Sequence, residues 1–323
     1  MASTNESDAG PPTTHWRAAG LRYHSLNFFF AKKFGHRVWK VSLDGGFGCP
    51  NADGTLGVGG CVFCNIASYS PSRRLGTRSI TGQLDEGIRR LAGRRKVERF
   101  VAYFQPATNT YAPVERLKCL YQEALGHPAV VGLAVGTRPD CVPDEVLDLL
   151  ADLARRTWVS LELGLQSIHQ RSLDWLNRRH GYGAFTDAVA RSRRRGLRVV
   201  AHVILGLPGE SREDMQATAR ELARLRVDGV KLHNLYAAKD TPLAGAVTAG
   251  AVRLPDLPEY AGYAADFLEE LPPECVVERL SGEAAAEYLV APRWCLHKPA
   301  VRAAIEAEFA RRGTRQGRRF QAM

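Results

Sequence analysis

Cys49, Cys61 and Cys64 fall within sixteen residues of one another in a chain of 323 that has seven cysteines in all. The stretch that carries them, GFGCPNADGTLGVGGCVFCN, is rich in glycine, and Gly54, Gly57, Gly59 and Gly60 let the backbone fold tightly around an inorganic body. The two residues between Cys61 and Cys64 let both sulfurs face one metal centre. A structural zinc site asks for a fourth Cys or His nearby. The nearest upstream histidine is His36, and none follows before His127. An iron–sulfur cubane normally takes four thiolates, so three leave one iron with an open position where a substrate or cofactor can bind. A zinc knuckle with a distant fourth ligand, and buried thiols without metal, are the alternatives.

Holding such a loop in place requires a rigid frame, and the chain supplies a regular alternation. The runs VWKVSL (38–43), RFVAYF (99–104), VVGLAV (130–135), WVSLELGL (158–165), RVVAHVILGL (198–207) and GVKLHNLY (229–236) read as strands. Amphipathic stretches at 81–92, 113–125, 143–156, 183–195 and 211–225 read as helices between them. Pro113 and Pro143 suit helix starts, Ser211 with Asp214 resembles a capping box in which Asp is a weaker closing partner than Glu, and Gly126 and Gly196 suit left-handed caps. Repeated βα units with right-handed crossovers predict an α/β fold, a partial (βα)6 TIM-like barrel spanning residues 21–240. In such sheets the loops after the strands carry the chemistry. The cysteine loop follows the first strand, and QPATNT, GTRPD, LQS and GLPGES follow the second to fifth, all on one rim. Residues 1–20, poor in periodicity, predict a flexible arm. Residues 241–323 predict a small α+β extension, with a helix near 258–270, a short strand CVVERL and a helix near 300–312.

The bulk composition is that of a soluble globular protein, with 45% apolar and 24% charged residues. Neither a membrane-span-length apolar run nor a secretory leader is visible, and sparse, odd-numbered cysteines do not suit a disulfide framework; a reducing cytoplasm is the expected location. The net charge of +10 favours an anionic partner, although only 8 of 44 basic residues are lysine.

The cysteine pattern resembles the radical S-adenosylmethionine (SAM) superfamily, with a longer first gap than its commonest CxxxCxxC spacing and an aromatic residue, Phe63, before the last cysteine. KVSLDGGFGCPNADGTLGVGGCVFCN, YFQPATNTYAP, GTRPDC, ELGLQS, HVILGLPGES, KLHNLYAAKDTPLA and APRWCLHKP resemble the YhcC/YtqA family, a relative of the elongator catalytic subunit. The resemblance runs from about residue 22 to 317. It implies a [4Fe–4S] cluster on Cys49, Cys61 and Cys64, with SAM on the fourth iron. An electron from a flavodoxin- or ferredoxin-type donor would then cleave SAM to methionine and a 5′-deoxyadenosyl radical that takes hydrogen from a substrate.

By the same analogy Phe63 lies against the adenine, and Arg178 grips the SAM carboxylate, its neighbour Arg179 leaving the register open. Gln105 and Asn109 stand where the superfamily usually carries a Gly-Gly-Glu element that this chain lacks. Thr137 and Gln166 close the third and fourth strands, where a hydroxyl and an amide can bind an amino acid or ribose. Glu162 faces inward with Gly164 and Gln166 by two-residue alternation, either serving SAM or pairing with Arg138 or Lys231. His202 stands where relatives use Asp toward ribose. The glycines of GLPGE permit close approach to the cofactor. His233, Asn234, Tyr236 and Lys239 on the sixth strand and just past it are substrate candidates. Basic clusters at 89–99, 191–198 and 311–319 are solvated faces or, for the last, a phosphate contact. The elongator relationship implies a tRNA wobble nucleoside as substrate. The competing reading is a zinc-stapled nucleic-acid-binding module. A nicotinamide-dependent barrel is disfavoured, since no G-x-G-x-x-G follows a first strand.

Overall fold

The computed structural model describes residues 15–74, 79–95 and 97–322. The six apolar runs form β1 (Val38–Leu43), β2 (Arg99–Phe104), β3 (Val130–Thr137), β4 (Trp158–Gln166), β5 (Arg198–Leu205) and β6 (Gly229–Asn234). They pair in chain order, every neighbour parallel. The expected strand starts all hold, and the ends shift by at most two residues. A two-residue strand β7 (Ala237–Ala238) pairs antiparallel with β9 (Leu289–Ala291), while β8 (Val276–Arg279) lies parallel beside β6. The C-terminal region thus adds a seventh strand to the sheet.

Alternation along the strands sends one set of side chains to the helices and the other into the hollow of the sheet. Leu133, Leu161, Leu163, Val199 and Val203 join Leu147, Leu150, Phe185 and Leu222 in the core outside the sheet. Inside, the helix Leu26–Phe34 closes the amino end, its Phe30 standing edge-on to Trp158 at 5.3 Å and packing with Val38, Val101 and Tyr103.

The capping box at Ser211 is present: its hydroxyl accepts from Asp214 N, and its own N–H donates to Asp214 Oδ2 at 2.8 Å. Gly196 is left-handed at φ 69°, but Gly126 stays right-handed at φ −71°, because the chain leaves the helix through a tight turn in which His127 N donates to Ala124 O at 3.4 Å. The expected N-terminal arm lies outside the described residues up to position 14. His15–Ala18 form a helical turn whose Trp16 is 1% exposed and donates Nε1 to Pro273 O at 2.9 Å. Packed chain therefore begins before the Leu21 start expected from periodicity: burying an indole outweighs the polar sequence around it.

Candidate active site

A cavity of about 770 Å³ opens at the carboxyl ends of the strands. Cys49, Cys61 and Cys64 all line it, presented by the loop after β1. That loop is tied down by its own backbone and by its neighbours. Ala52 N donates to Cys49 O at 2.8 Å, Cys64 N to Cys61 O at 3.0 Å, and Thr108 N, in the loop after β2, to Gly48 O at 3.1 Å. Val62 bonds Leu176 through its N–H and Leu243 through its carbonyl. Gly59 and Gly60, both on the cavity wall, hold φ of 81° and 78°, a region open to glycine at little cost. Asn51 Nδ2 reaches Asn177 O at 2.6 Å, and Asn177 Nδ2 returns to Gly60 O at 2.7 Å.

Arg178 is the cation at the thiols. Its Nη1 stands 3.3 Å from Cys61 Sγ and its Nη2 donates to Gly164 O at 2.8 Å, while Arg179 is exposed at φ 57°. Of the two adjacent arginines, Arg178 is the one that reaches the thiols. Behind it Arg138, 3% exposed, forks Asp140 at 3.0 and 2.8 Å and donates to Arg178 O at 2.9 Å. Burial pushes the Cys64 thiol up to about 12, and Cys61 and Cys49 add to the effect. A trio of facing thiols in this environment asks for positive charge before it can ionise.

Phe63, Gln105, Thr137, Gln166 and His202 line the same cavity. Phe63 packs against a cluster that includes Leu176, Ile204 and Leu235. Gln105 Oε1 accepts from Ser42 at 2.8 Å, and the Thr137 and Thr110 hydroxyls are bonded at 2.6 Å. Gln166, at φ 73°, breaks the register of β4 against β5 and turns its side chain to the wall. Such strain in a residue with a side chain is characteristic of functional rims.

Two expected site residues do not line it. Asn109 is fully buried and spends Nδ2 on Gly136 O at 2.7 Å, tying two loops together. Glu162 lies one layer below, 0% exposed, bonded to Lys40 at 2.7 Å, to His202 Nε2 at 2.9 Å and to Lys231. Of its two expected partners only Lys231 is used; Arg138 is committed to Asp140. The GLPGE turn also departs from expectation: a Cβ on Gly206 would meet Pro255 at 2.5 Å, so its close approach is to protein. Of the substrate candidates His233, Asn234 and Tyr236 line the cavity, whereas Lys239 does not; its N–H goes to Tyr288 O.

Sequence reasoning missed Tyr69, Tyr103, Arg138 and Arg279, all on the wall. Arg138 and Arg279 were accessible to the strand-end rule, the first inside the quoted GTRPD, the second closing CVVERL. Tyr103 points in by the alternation that places Val101. Tyr69 gave no local signal.

The donor set fits a multi-iron cluster with SAM. Among the described residues no three His, Cys, Asp or Glu side chains converge closely enough to hold a single metal ion. The thiols instead share the wall of an open cavity whose cradle is built for a ligand. A Cβ on Gly164 would stand 3.0 Å from Gln166 Nε2 and 3.1 Å from Arg178 Nη2, and the buried atoms Arg178 Nε and Arg138 Nη1 have no partner among the described residues.

Residues 47–222 match the Radical SAM superfamily, and residues 227–311 its C-terminal domain. The chain is 41% identical over 300 residues to the uncharacterized protein YtqA of Bacillus subtilis, covering 93% of each. It is 42% identical over 265 residues to Protein YhcC of Escherichia coli, covering 82% of this chain and 84% of that one. Elongator complex protein 3 of Schizosaccharomyces pombe is 31% identical over 116 residues, 35% of this chain and 21% of its own. In fold the chain is similar to the archaeal Methanocaldococcus infernus Elp3 with an N-terminal deletion, at a TM-score of 0.65 and 17% identity, over 80% of this chain and 65% of that one. With the family matched across more than half its length and the three thiols gathered on one wall, the chain belongs to the radical SAM superfamily, enzymes whose cofactors are a [4Fe–4S] cluster and SAM.

Proposed function

We propose that Cys49, Cys61 and Cys64 hold the cluster and that Arg178, Gln166, Thr137, Gln105 and Phe63 hold SAM, leaving the His202, His233 and Tyr236 side of the cavity for substrate. When bound and given one electron from a ferredoxin- or flavodoxin-type donor, these cofactors supply methionine and a 5′-deoxyadenosyl radical, which becomes 5′-deoxyadenosine by taking a substrate hydrogen atom. The chain's own part is positioning and exclusion of water. Arg178 offers a fork suited to a carboxylate, Phe63 an apolar face for a base, and Thr137 and Gln166 polar atoms at the strand ends. The observation that carries this reading is the convergence of three thiols, Arg178 and these strand-end side chains on one cavity.

The substrate we propose is a nucleoside at the tRNA wobble position. The likeness to Elongator complex protein 3 and the net charge of +10 support it. The basic clusters carry less of the argument than their charge suggests. Arg191 pairs with Asp187 and Asp144, Arg195 with Asp148, Arg312 with Asp266 and Glu308, and Arg319 with Glu269. The 89–99 cluster falls partly outside the described residues.

Anaerobically reconstituted protein is expected to carry about four irons and four sulfides and to release 5′-deoxyadenosine from SAM on reduction. Cys49→Ala, Cys61→Ala and Cys64→Ala should each abolish both. A cysteine variant that still cleaves SAM would sink the assignment. Mass spectrometry of tRNA nucleosides from cells with and without the gene tests the substrate; identical profiles remove the tRNA reading and leave the cluster reading intact.

A further inference from the structure

We propose that Arg279 anchors an anionic group, a phosphate or a carboxylate, on the substrate that enters this cavity. This rests on the radical SAM reading and names a feature of the substrate that the cofactors do not dictate. Arg279 ends β8 and lines the cavity, and no hydrogen bond or ion pair joins its guanidinium to another described residue. Three carboxylates near it, Glu162, Glu278 and Glu283, are already paired with cations, and Asp240, the other acid on the wall, is exposed to solvent. Glu162 bonds Lys40, Lys231 and His202; Glu278 bonds Lys40 at 2.5 Å and approaches Arg198 at 3.7 Å; Glu283, also on the wall, bonds Lys298 at 2.5 Å. Arg138, on the same wall, shows the usual solution, a carboxylate fork supplied by the protein. A guanidinium in a recess without a counter-charge is costly unless a ligand completes it.

The groups facing Arg279 suit that role. Burial and the field of Arg279 hold the His233 imidazole well below its ordinary value, so it is neutral at pH 7, and its Nε2 is buried without a partner. Tyr103 and Tyr236 are pushed upward, first by burial, and keep their protons. Neither the imidazole nor the phenols therefore compete as anions for the guanidinium, and His233 and Ser281 add polar atoms on the same wall. The turn after β8 is pressed close: Gly282 N donates to Asn234 Oδ1 at 3.0 Å, and a Cβ there would meet His233 Nδ1 at 2.9 Å. Arg178, bonded at the thiols and following the central strand β4 while Arg279 ends the edge strand β8, answers for the cofactor end, so the chain carries two separate guanidinium forks in one cavity. Planar forks of this kind match the paired oxygens of phosphate and carboxylate.

The test is calorimetric titration of the anaerobically reconstituted protein, with and without SAM, using inorganic phosphate in one arm and acetate in the other. Binding does not require SAM cleavage, so an inactive cluster and an idle arginine give different results. Saturable binding of either anion is expected, with the tighter one identifying the source. Arg279→Gln should weaken it roughly ten- to hundredfold. Arg279→Lys, which keeps charge and loses the fork, should fall between, and Arg155→Gln on the outer surface should bind as the parent does. Absence of binding to the parent protein, equal affinity in Arg279→Gln, or displacement of the anion by SAM would each overturn the proposal.

Discussion

A methyl group added at Gly164 would press on Gln166 and Arg178 at once, at 3.0 and 3.1 Å, distances that the neighbours must relieve by moving. Arg178 has little room to move, because Nη2 is held by Gly164 O and Nη1 sits against Cys61. Gly164→Ala should therefore fold, retain iron and lose SAM affinity about tenfold, the scale of one charge-assisted hydrogen bond; equilibrium dialysis would measure it. Unchanged affinity would mean that neither Gln166 nor Arg178 touches the cofactor. The inward row Glu162, Gly164, Gln166 was legible because side chains alternate along a strand. Its division was not. Whether an inward polar atom faces the cavity or a neighbour depends on partners far off in sequence: Glu162 is taken by Lys40, 122 residues earlier, and Asn109 by the Gly136 carbonyl.

Five strands each send one ionisable side chain to a paired cluster at the cavity floor: His202 from β5 on the wall, and beneath it Lys40 from β1, Glu162 from β4, Lys231 from β6 and Glu278 from β8. Burial works against the Glu162 carboxylate, but Lys231 and Lys40 hold it well below the usual range. Burial pushes His202 down to about 4, against the pull of Glu162. Above pH 6.5 the imidazole is neutral folded or unfolded. Between pH 6.5 and 4 the unfolded chain takes up a proton that the folded one refuses, so stability falls with falling pH, by about 3 kcal/mol at full extent. His233 acts in the same direction. The urea midpoint should drop between pH 7 and 4.5, and His202→Gln should narrow that drop; a parent midpoint flat across this range would contradict the buried neutral imidazole. The six long strands were legible because a sheet covered on both faces reads as apolar runs. The place of β8 was not: a four-residue strand carries too little pattern to say which edge it joins.

The two ends of the described chain meet at β8. Val277 N donates to His24 O at 2.8 Å, and Trp16 reaches Pro273. Between them lies Gln316, 0% exposed: Oε1 accepts from His24 N at 2.8 Å, Nε2 donates to Pro272 O and Cys275 O at 2.8 Å each, and its own N–H bonds Arg22 O at 3.0 Å. The side-chain bonds of Gln316, across 41 to 292 residues, leave no periodic trace, which is why residues 15–20 read as part of a flexible arm. Gln316→Ala strands the His24 N–H and the Cys275 carbonyl in the interior, while Pro272 O keeps its bond from Cys275 N, a loss of about 3 kcal/mol that should lower Tm by roughly 5–10 °C. Gln316→Glu separates a specific latch from mere filling of space. The carboxylate keeps the acceptor for His24 N but turns a second oxygen toward two carbonyls, so a nearly isosteric change should destabilise more than truncation does. Calorimetry on the two variants decides the matter, since a Gln316→Glu protein as stable as the parent would mean that the tail lies on β8 without fastening it.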